Sequence, residues 1–322
     1  MNNMKKNLNI QIENINSCYE KNKELIPLIA RTIKAYSPNS IILIGYDSDY
    51  NVARFAKYLI EIYYKVPVSI ASPSVYLEYD SNMIMNKTLA IAFSSSGYDD
   101  NIKNILNKLN NAGALTLSIT NDESSPVAIE SKYDLYNCNT STNYKMISNT
   151  FPTSIYIVIK LVYELTSYPE LDIEENRIIE NISESLNYED EIRKDIQTFT
   201  DDTIVLSYGY TSSIAEEFSL LNLRLSNKNF NNFNLDNILL DNIELKNKNI
   251  ILFGIDKFTY KNITSALEKF KKNNCNIYVI TNKGDIYNCI ENGIYINEDN
   301  DLYAMFAAIG LIQILAYEIK NL

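Results

Sequence analysis

The chain has 322 residues, 46% hydrophobic and 21% charged, enough for two domains with their own cores. Its net charge of −11 argues against a nucleic-acid partner, because neutralising phosphates needs a clustered basic face. Histidine is absent, which removes imidazole from any acid, base or metal-ligating role, and the four cysteines (Cys18, Cys138, Cys275 and Cys289) stand apart without a CxxC spacing. We therefore expect no metal, no cofactor, and free thiols of a reducing cytoplasm. Met1 to Asn9 carries lysines but no apolar stretch behind them, unlike a signal peptide. The greasiest segment, Met305 to Ala316, falls short of the ~20 residues that span a bilayer, so no membrane is expected.

In chain order, residues 10 to 36 have helical apolar spacing with Pro27 near the middle, which predicts two short helices or one broken one. Residues 40–45 predict a strand, 52–64 a helix, 67–70 and 87–93 two more strands, 101–112 a helix, 115–120 a strand, and 154–165 a long apolar helix. Residues 169 to 202 are acidic and read as a helical connector around 173–186 and 189–197. A second series starts at Thr203 and ends in an apolar helix over 302–319, and the Asn-rich stretch 227–237 reads as a loop. Strands alternating with helices of this length imply parallel sheets with helices on both faces.

The two series repeat each other at a spacing of about 160 residues, which is domain-sized and no short-period solenoid. Ile41-Ile42-Leu43-Ile44-Gly45 returns as Ile204-Val205-Leu206-Ser207, and Ile119-Thr120-Asn121 returns as Ile280-Thr281-Asn282. The expected organisation is an N-terminal helical segment (1–36), a first lobe (37–167), a helical connector (168–202) and a second lobe (203–322).

The sharpest chemical signal is Phe93-Ser94-Ser95-Ser96-Gly97-Tyr98-Asp99-Asp100-Asn101, where a buried strand gives way to a helix. Such a turn gathers backbone N–H groups, hydroxyls and the positive end of a helix dipole, a neutral cradle for a phosphate monoester. The blander reading is that these side chains fill a turn and cap the helix.

The order of Gly45 loop, Pro67-Val68-Ser69-Ile70-Ala71-Ser72, Ser94-Ser95-Ser96-Gly97 and Thr120-Asn121-Asp122-Glu123-Ser124-Ser125-Pro126 resembles the SIS (sugar isomerase) superfamily from about residue 41 to 317. Within it the chain is most similar to the tandem-lobe isomerase part of glutamine–fructose-6-phosphate aminotransferases and to fructosamine-phosphate deglycases. The resemblance implies an α/β protein of two SIS-type αβα lobes that takes a sugar phosphate. It implies that Ser94, Ser95, Ser96 and Gly97 hold the phosphate, that Asp47 and Ser48 stand beside the sugar, with Asp99 near it where the family has a threonine, and that Ser148, Asn149 and Thr150 line the site. It implies a homodimer, for which the apolar helices 154–165 and 302–319 supply a further argument.

The departures bear on chemistry. Glu217 matches the first of two family glutamates, but Arg224 stands where the proton-transferring second one belongs, and a guanidinium cannot serve as a base near neutral pH. The family's ring-opening histidine has no counterpart around Leu240-Asp241-Asn242, and its lysine-bearing tail finds no match up to Leu322. Three readings follow: a phosphosugar-binding protein with impaired or absent catalysis; an isomerase or deglycase with Glu217 as base and Arg224 on an enediolate; and an interaction subunit that binds no sugar.

Overall fold

The computed structural model describes residues 2–78, 87–139, 149–199, 202–240, 243–255 and 260–321. They fall into two compact units, one built from residues 10–139 and 149–175, the other from 2–9 and 176–321. The chain opens with α1 (Asn2–Asn22) and α2 (Leu25–Tyr36), so the break falls at Lys23-Glu24 and not at Pro27. Pro27 sits in the first turn of α2, where its missing N–H would have had no helical partner.

The first unit continues with β1 (Ser40–Ile44), α3 (Asp47–Leu59), β2 (Val68–Ala71), α4 (Pro73–Glu78), β3 (Thr88–Ser94) and α5 (Asp100–Asn111). It ends with β4 (Leu115–Thr120), α6 (Pro126–Glu130), β5 (Tyr133–Tyr136) and α7 (Thr150–Thr166). The predicted helix over 52–64 is α3 followed by a π-helical turn at Ile60–Tyr64.

Among the described residues the strands form a parallel sheet in the order β2-β1-β3-β4-β5. The middle strand, β3, is buried along its whole length, which is what a parallel strand covered on both faces requires. Alternation sorts its side chains: Ala90 and Ala92, with Ile42 and Ile44 of β1, pack against Ile102, Ile105, Leu106 and Leu109 of α5. Those four recur at helical spacing, so α5 turns one apolar stripe to the sheet.

From residue 176 the second unit holds α8 (Glu175–Glu184), whose first residue belongs to the other unit, and α9 (Glu189–Asp195), joined by a 3₁₀ turn at Ser185–Tyr188. It then runs through β6 (Ile204–Ser207), α10 (Thr211–Ser226), β7 (Asn231–Asn234), α11 (Leu235–Leu240), β8 (Asn249–Gly254) and α12 (Tyr260–Lys272). It closes with β9 (Asn276–Thr281), α13 (Gly284–Tyr287), β10 (Asn292–Tyr295) and α14 (Asp301–Lys320). Its parallel sheet has the order β7-β6-β8-β9-β10, the same sequence of strands as the first.

The matching core is equally repeated, with Ile204, Leu206, Ile250 and Leu252 packing on Ile263, Leu267 and Phe270 of α12. The Asn-rich stretch read as a loop in fact supplies β7 and the start of α11. Arg177 of α8 grips Glu298 through two hydrogen bonds, Nε to Oε2 at 2.8 Å and Nη2 to Oε1 at 2.5 Å, and stacks over Tyr303 at 4.4 Å. The buried carboxylate is thus met by a charged, two-point partner.

Helix α14 is long and apolar enough to cross a membrane by length and composition, yet 94% of that window is buried inside the protein. It is a core helix. At Gly310 it approaches the turn after α8 so closely that an added Cβ would meet Ser185 Oγ and stand 2.8 Å from Ser185 Cβ and 3.4 Å from Ile182 O. Gly310→Ala is therefore expected to lower stability by about 1–3 kcal/mol, the usual cost of overpacking. Urea denaturation checks this, and Ser185→Gly in the same chain should restore part of the loss by removing the facing side chain.

Candidate functional site

Parallel pairing brings the carboxyl ends of β1, β3 and β4 to one edge of the first sheet, and open α/β sheets place ligands at that edge. The Ser94-Ser95-Ser96-Gly97 turn stands there, at the end of β3 and just ahead of α5. Gly97 N–H donates to Ser94 O at 3.0 Å, closing the turn, with Gly97 at φ +76°. Its Cα lies so close to the Ser125 side chain that a Cβ would clash with Oγ, so the turn depends on glycine twice.

The three serines behave differently. Ser94 is buried, Ser95 partly so, and Ser96 is exposed with its Oγ accepting from Tyr98 N–H at 3.2 Å. Ser95 is held by a residue that sequence reading did not single out. The Asp49 carboxylate accepts from Ser95 N–H at 2.9 Å and from Ser95 Oγ at 2.6 Å. Two donors of the turn thus already carry an anion belonging to the chain. Thr150 Oγ1, from the 148–150 segment expected to line the site, lies 2.9 Å from Ser95 Oγ as well.

The structure does bring the expected segments together. The loop after β1 reaches the turn through Asp49 and through Tyr46, whose hydroxyl accepts from Asn101 Nδ2 at 3.1 Å on the first turn of α5. Within that loop Asp47 is exposed with φ +51°, and Ser48 is buried. Asp99 is the N-cap of α5, its Oδ1 accepting from Ile102 N–H at 2.9 Å, which is the capping reading of this residue. Asn149 is buried ahead of α7, accepting on Oδ1 from Gln11 Nε2 at 3.0 Å. Ser148 lies outside the described residues.

Glu217 and Arg224 belong to α10 of the second lobe, where Glu217 is buried and Arg224 exposed. The seven-residue spacing places them along one side of the helix at very different depths.

Beside Ser96 an open cleft of ≈ 660 Å³ is lined by Lys21, Ser96, Tyr98, Asn121, Asp122, Glu123, Tyr136 and Cys138. Its charges are largely answered within the wall. Lys21 pairs with Glu123 at 2.8 Å, and Tyr98 donates to Asp122 at 2.8 Å. The Ser124 hydroxyl and N–H together with that tyrosine hold the Asp122 carboxyl below its ordinary value.

The second lobe meets the same geometry with different chemistry. Both fourth strands end in Thr-Asn, and Asn137 N–H donates to Thr120 O just as Ile296 N–H donates to Thr281 O. Where Asp122 follows in the first lobe, Lys283 follows in the second and pairs with Asp301 at 2.6 Å across the corresponding edge.

Behind the cleft, Asp134 of β5 accepts from Ser118 Oγ and Thr120 Oγ1, and burial pushes its carboxyl up to about 6 against those hydrogen bonds. A native-state value above the unfolded ~3.9 means that the protonated form favours folding. That contribution is complete below about pH 4 and fades as pH rises through 6. Asp134→Asn should therefore gain stability relative to the parent chain between pH 4.5 and 7, by about 1–3 kcal/mol, read from urea midpoints at both pH values.

Residues 34–163 match the SIS domain family. No curated protein matches the chain by sequence. Among solved structures it is similar to the C-terminal domain of glucosamine-fructose-6-phosphate aminotransferase from Francisella tularensis, with TM-score 0.82, 18% identity, and 99% and 95% of the two chains covered. It is also similar to tagatose-6-phosphate ketose/aldose isomerase from Escherichia coli, with TM-score 0.77, 13% identity and coverages of 98% and 91%. Glucosamine-6-phosphate deaminase from Thermotoga maritima gives TM-score 0.73, 16% identity and coverages of 99% and 94%. At these identities the likeness to solved structures speaks to the fold.

Proposed function

We propose that this chain, whose residues 34–163 are an SIS domain, holds a phosphorylated sugar or amino sugar at the turn between β3 and α5, with isomerase chemistry impaired or absent. The observation that carries the reading is the placement of Ser94–Gly97 at the carboxyl end of the central strand, ahead of α5 and beside a cleft of ≈ 660 Å³ that Ser96 lines. That volume lies in the range of small-molecule sites. The three structural neighbours are named for hexose 6-phosphates, which gives the class of ligand to try first.

On this reading the phosphate displaces or stands beside the Asp49 carboxylate, taking hydrogen bonds from Ser95 N–H, Ser95 Oγ and Ser96 Oγ. Asp49 then acts as an internal competitor. Two like charges within ~4–6 Å repel even in a solvated site, so its ionisation weakens binding. The absence of histidine and the guanidinium at 224 support a binding role over aldose–ketose isomerisation, which needs a group able to lose a proton near neutral pH. A homodimer belongs to the same reading on family grounds alone. Helices α7 and α14, whose apolar faces suggested it, are buried within the chain.

Isothermal titration with fructose 6-phosphate and glucosamine 6-phosphate tests the proposal. Ser96→Ala is expected to weaken binding roughly tenfold through loss of a hydrogen bond to a charged group. Asp49→Asn should tighten it roughly tenfold by removing the competing charge. Silence with every hexose, hexosamine and fructosamine 6-phosphate, or indifference to both substitutions, would sink the reading.

A further inference from the structure

Cys18 lies on α1 and Cys138 two residues beyond β5, yet both sulfurs rest against one carbonyl oxygen, that of Tyr136, at 3.4 and 3.5 Å. Asn22 holds the two segments in place. Its Nδ2 donates to Tyr136 O at 2.7 Å and its Oδ1 accepts from Tyr136 N–H at 2.9 Å, which stitches α1 onto the end of β5 like an extra strand residue. Both thiols are free; Cys18 is fully buried, whereas Cys138 is partly exposed and lines the cleft beside Lys21 and Tyr136. Cys138 also takes φ +52°, a left-handed conformation that non-glycine residues adopt at some cost.

We propose that Cys138 and Cys18 form a redox pair at the rim of the first-lobe cleft, with Cys138 oxidised by a hydroperoxide and Cys18 resolving the product to a disulfide. The environments divide the roles. The adjacent Cys18 thiol and then the Lys21 charge hold the Cys138 thiol below its ordinary value, against partial burial. Burial raises the Cys18 thiol well above its ordinary value, so it keeps its proton. Thiolate character and access together select the sulfur that reacts.

In the first step the Cys138 thiolate attacks the terminal oxygen of the hydroperoxide. The O–O bond breaks, the sulfur gives up two electrons to become the sulfenic acid, and the alkoxide leaves with a proton from water. In the second step the Cys18 sulfur attacks the Cys138 sulfur, the S–O bond breaks, and the hydroxide leaves as water with the Cys18 proton. The product ties α1 covalently to the segment after β5, next to Asn139, whose N–H donates to Asn121 on the cleft wall at 2.5 Å. Oxidation would thereby fix one side of the cleft.

The test treats the full chain with stoichiometric hydrogen peroxide, blocks remaining thiols by alkylation and maps peptides by mass without reduction. A Cys18–Cys138 cross-linked peptide should form while Cys275 and Cys289 remain alkylated, with a rate advantage of roughly tenfold or more. In Cys18→Ser the disulfide should vanish and Cys138 should be trapped by dimedone; in Cys138→Ser, Cys18 should stay reduced. Loss of Cys275 or Cys289 before the pair, or Cys138 staying alkylatable where free cysteine is oxidised, would overturn the proposal. The unsubstituted chain decides the matter even if one variant fails to fold.

Discussion

Everything at the site depends on the parallel pairing of β3 between β1 and β4. Parallel strands send their carboxyl ends to the same side, so three loops that are far apart in sequence come to one edge. An antiparallel neighbour would deliver one of those loops to the opposite edge. The pairing in turn rests on burial: β3 holds no polar side chain between Thr88 and Ser94, because both faces are covered by helices. Hydroxyls stand only at the two ends of β3, Thr88 and Ser94, and the turn begins at the second.

The two lobes share this frame and use it differently. Each fixes the segment leaving its fifth strand by returning a backbone N–H to the threonine carbonyl at the end of the fourth. Beyond that shared device the electrostatics diverge. The first lobe follows with Asp122, satisfied by Ser124 and Tyr98 at the mouth of an open cleft. The second follows with Lys283, closed onto Asp301 with both side chains mostly buried. An ion pair at that depth resists being opened for a ligand, since each separated charge would need a new partner. The two lobes share the scaffold and differ in the charge carried at this edge.

The fold was legible because its strongest elements obey a single local rule. The apolar runs of β1, β3, β4, β6, β8 and β9 are short and β-branched, and α5 shows its stripe in the sequence itself. The edges were less legible. β5 and β7 contain Tyr-Asp-Leu-Tyr and Asn-Asn-Phe-Asn, with no apolar run, and form only because a neighbouring strand offers unpaired backbone groups. The strand–turn–helix logic at Ser94–Gly97 could be read directly, and so could the capping by Asp99. The grip of Asp49 on Ser95 could not, because it spans 46 residues and follows from the tertiary approach of two loops. The convergence of Cys18 and Cys138 on Tyr136 is of the same kind.

The carboxylate already seated on Ser95 has a bearing on selectivity. A bare inorganic anion reaching that turn offers nothing beyond what Asp49 supplies, so the exchange brings it little gain. A ligand whose anionic group is attached to a larger polar body can recruit further hydrogen bonds along the cleft, and only those additional contacts tilt the balance. On the proposed reading the resident side chain would filter for molecules recognised at two points, since the cation of the cleft wall, Lys21, is already paired with Glu123.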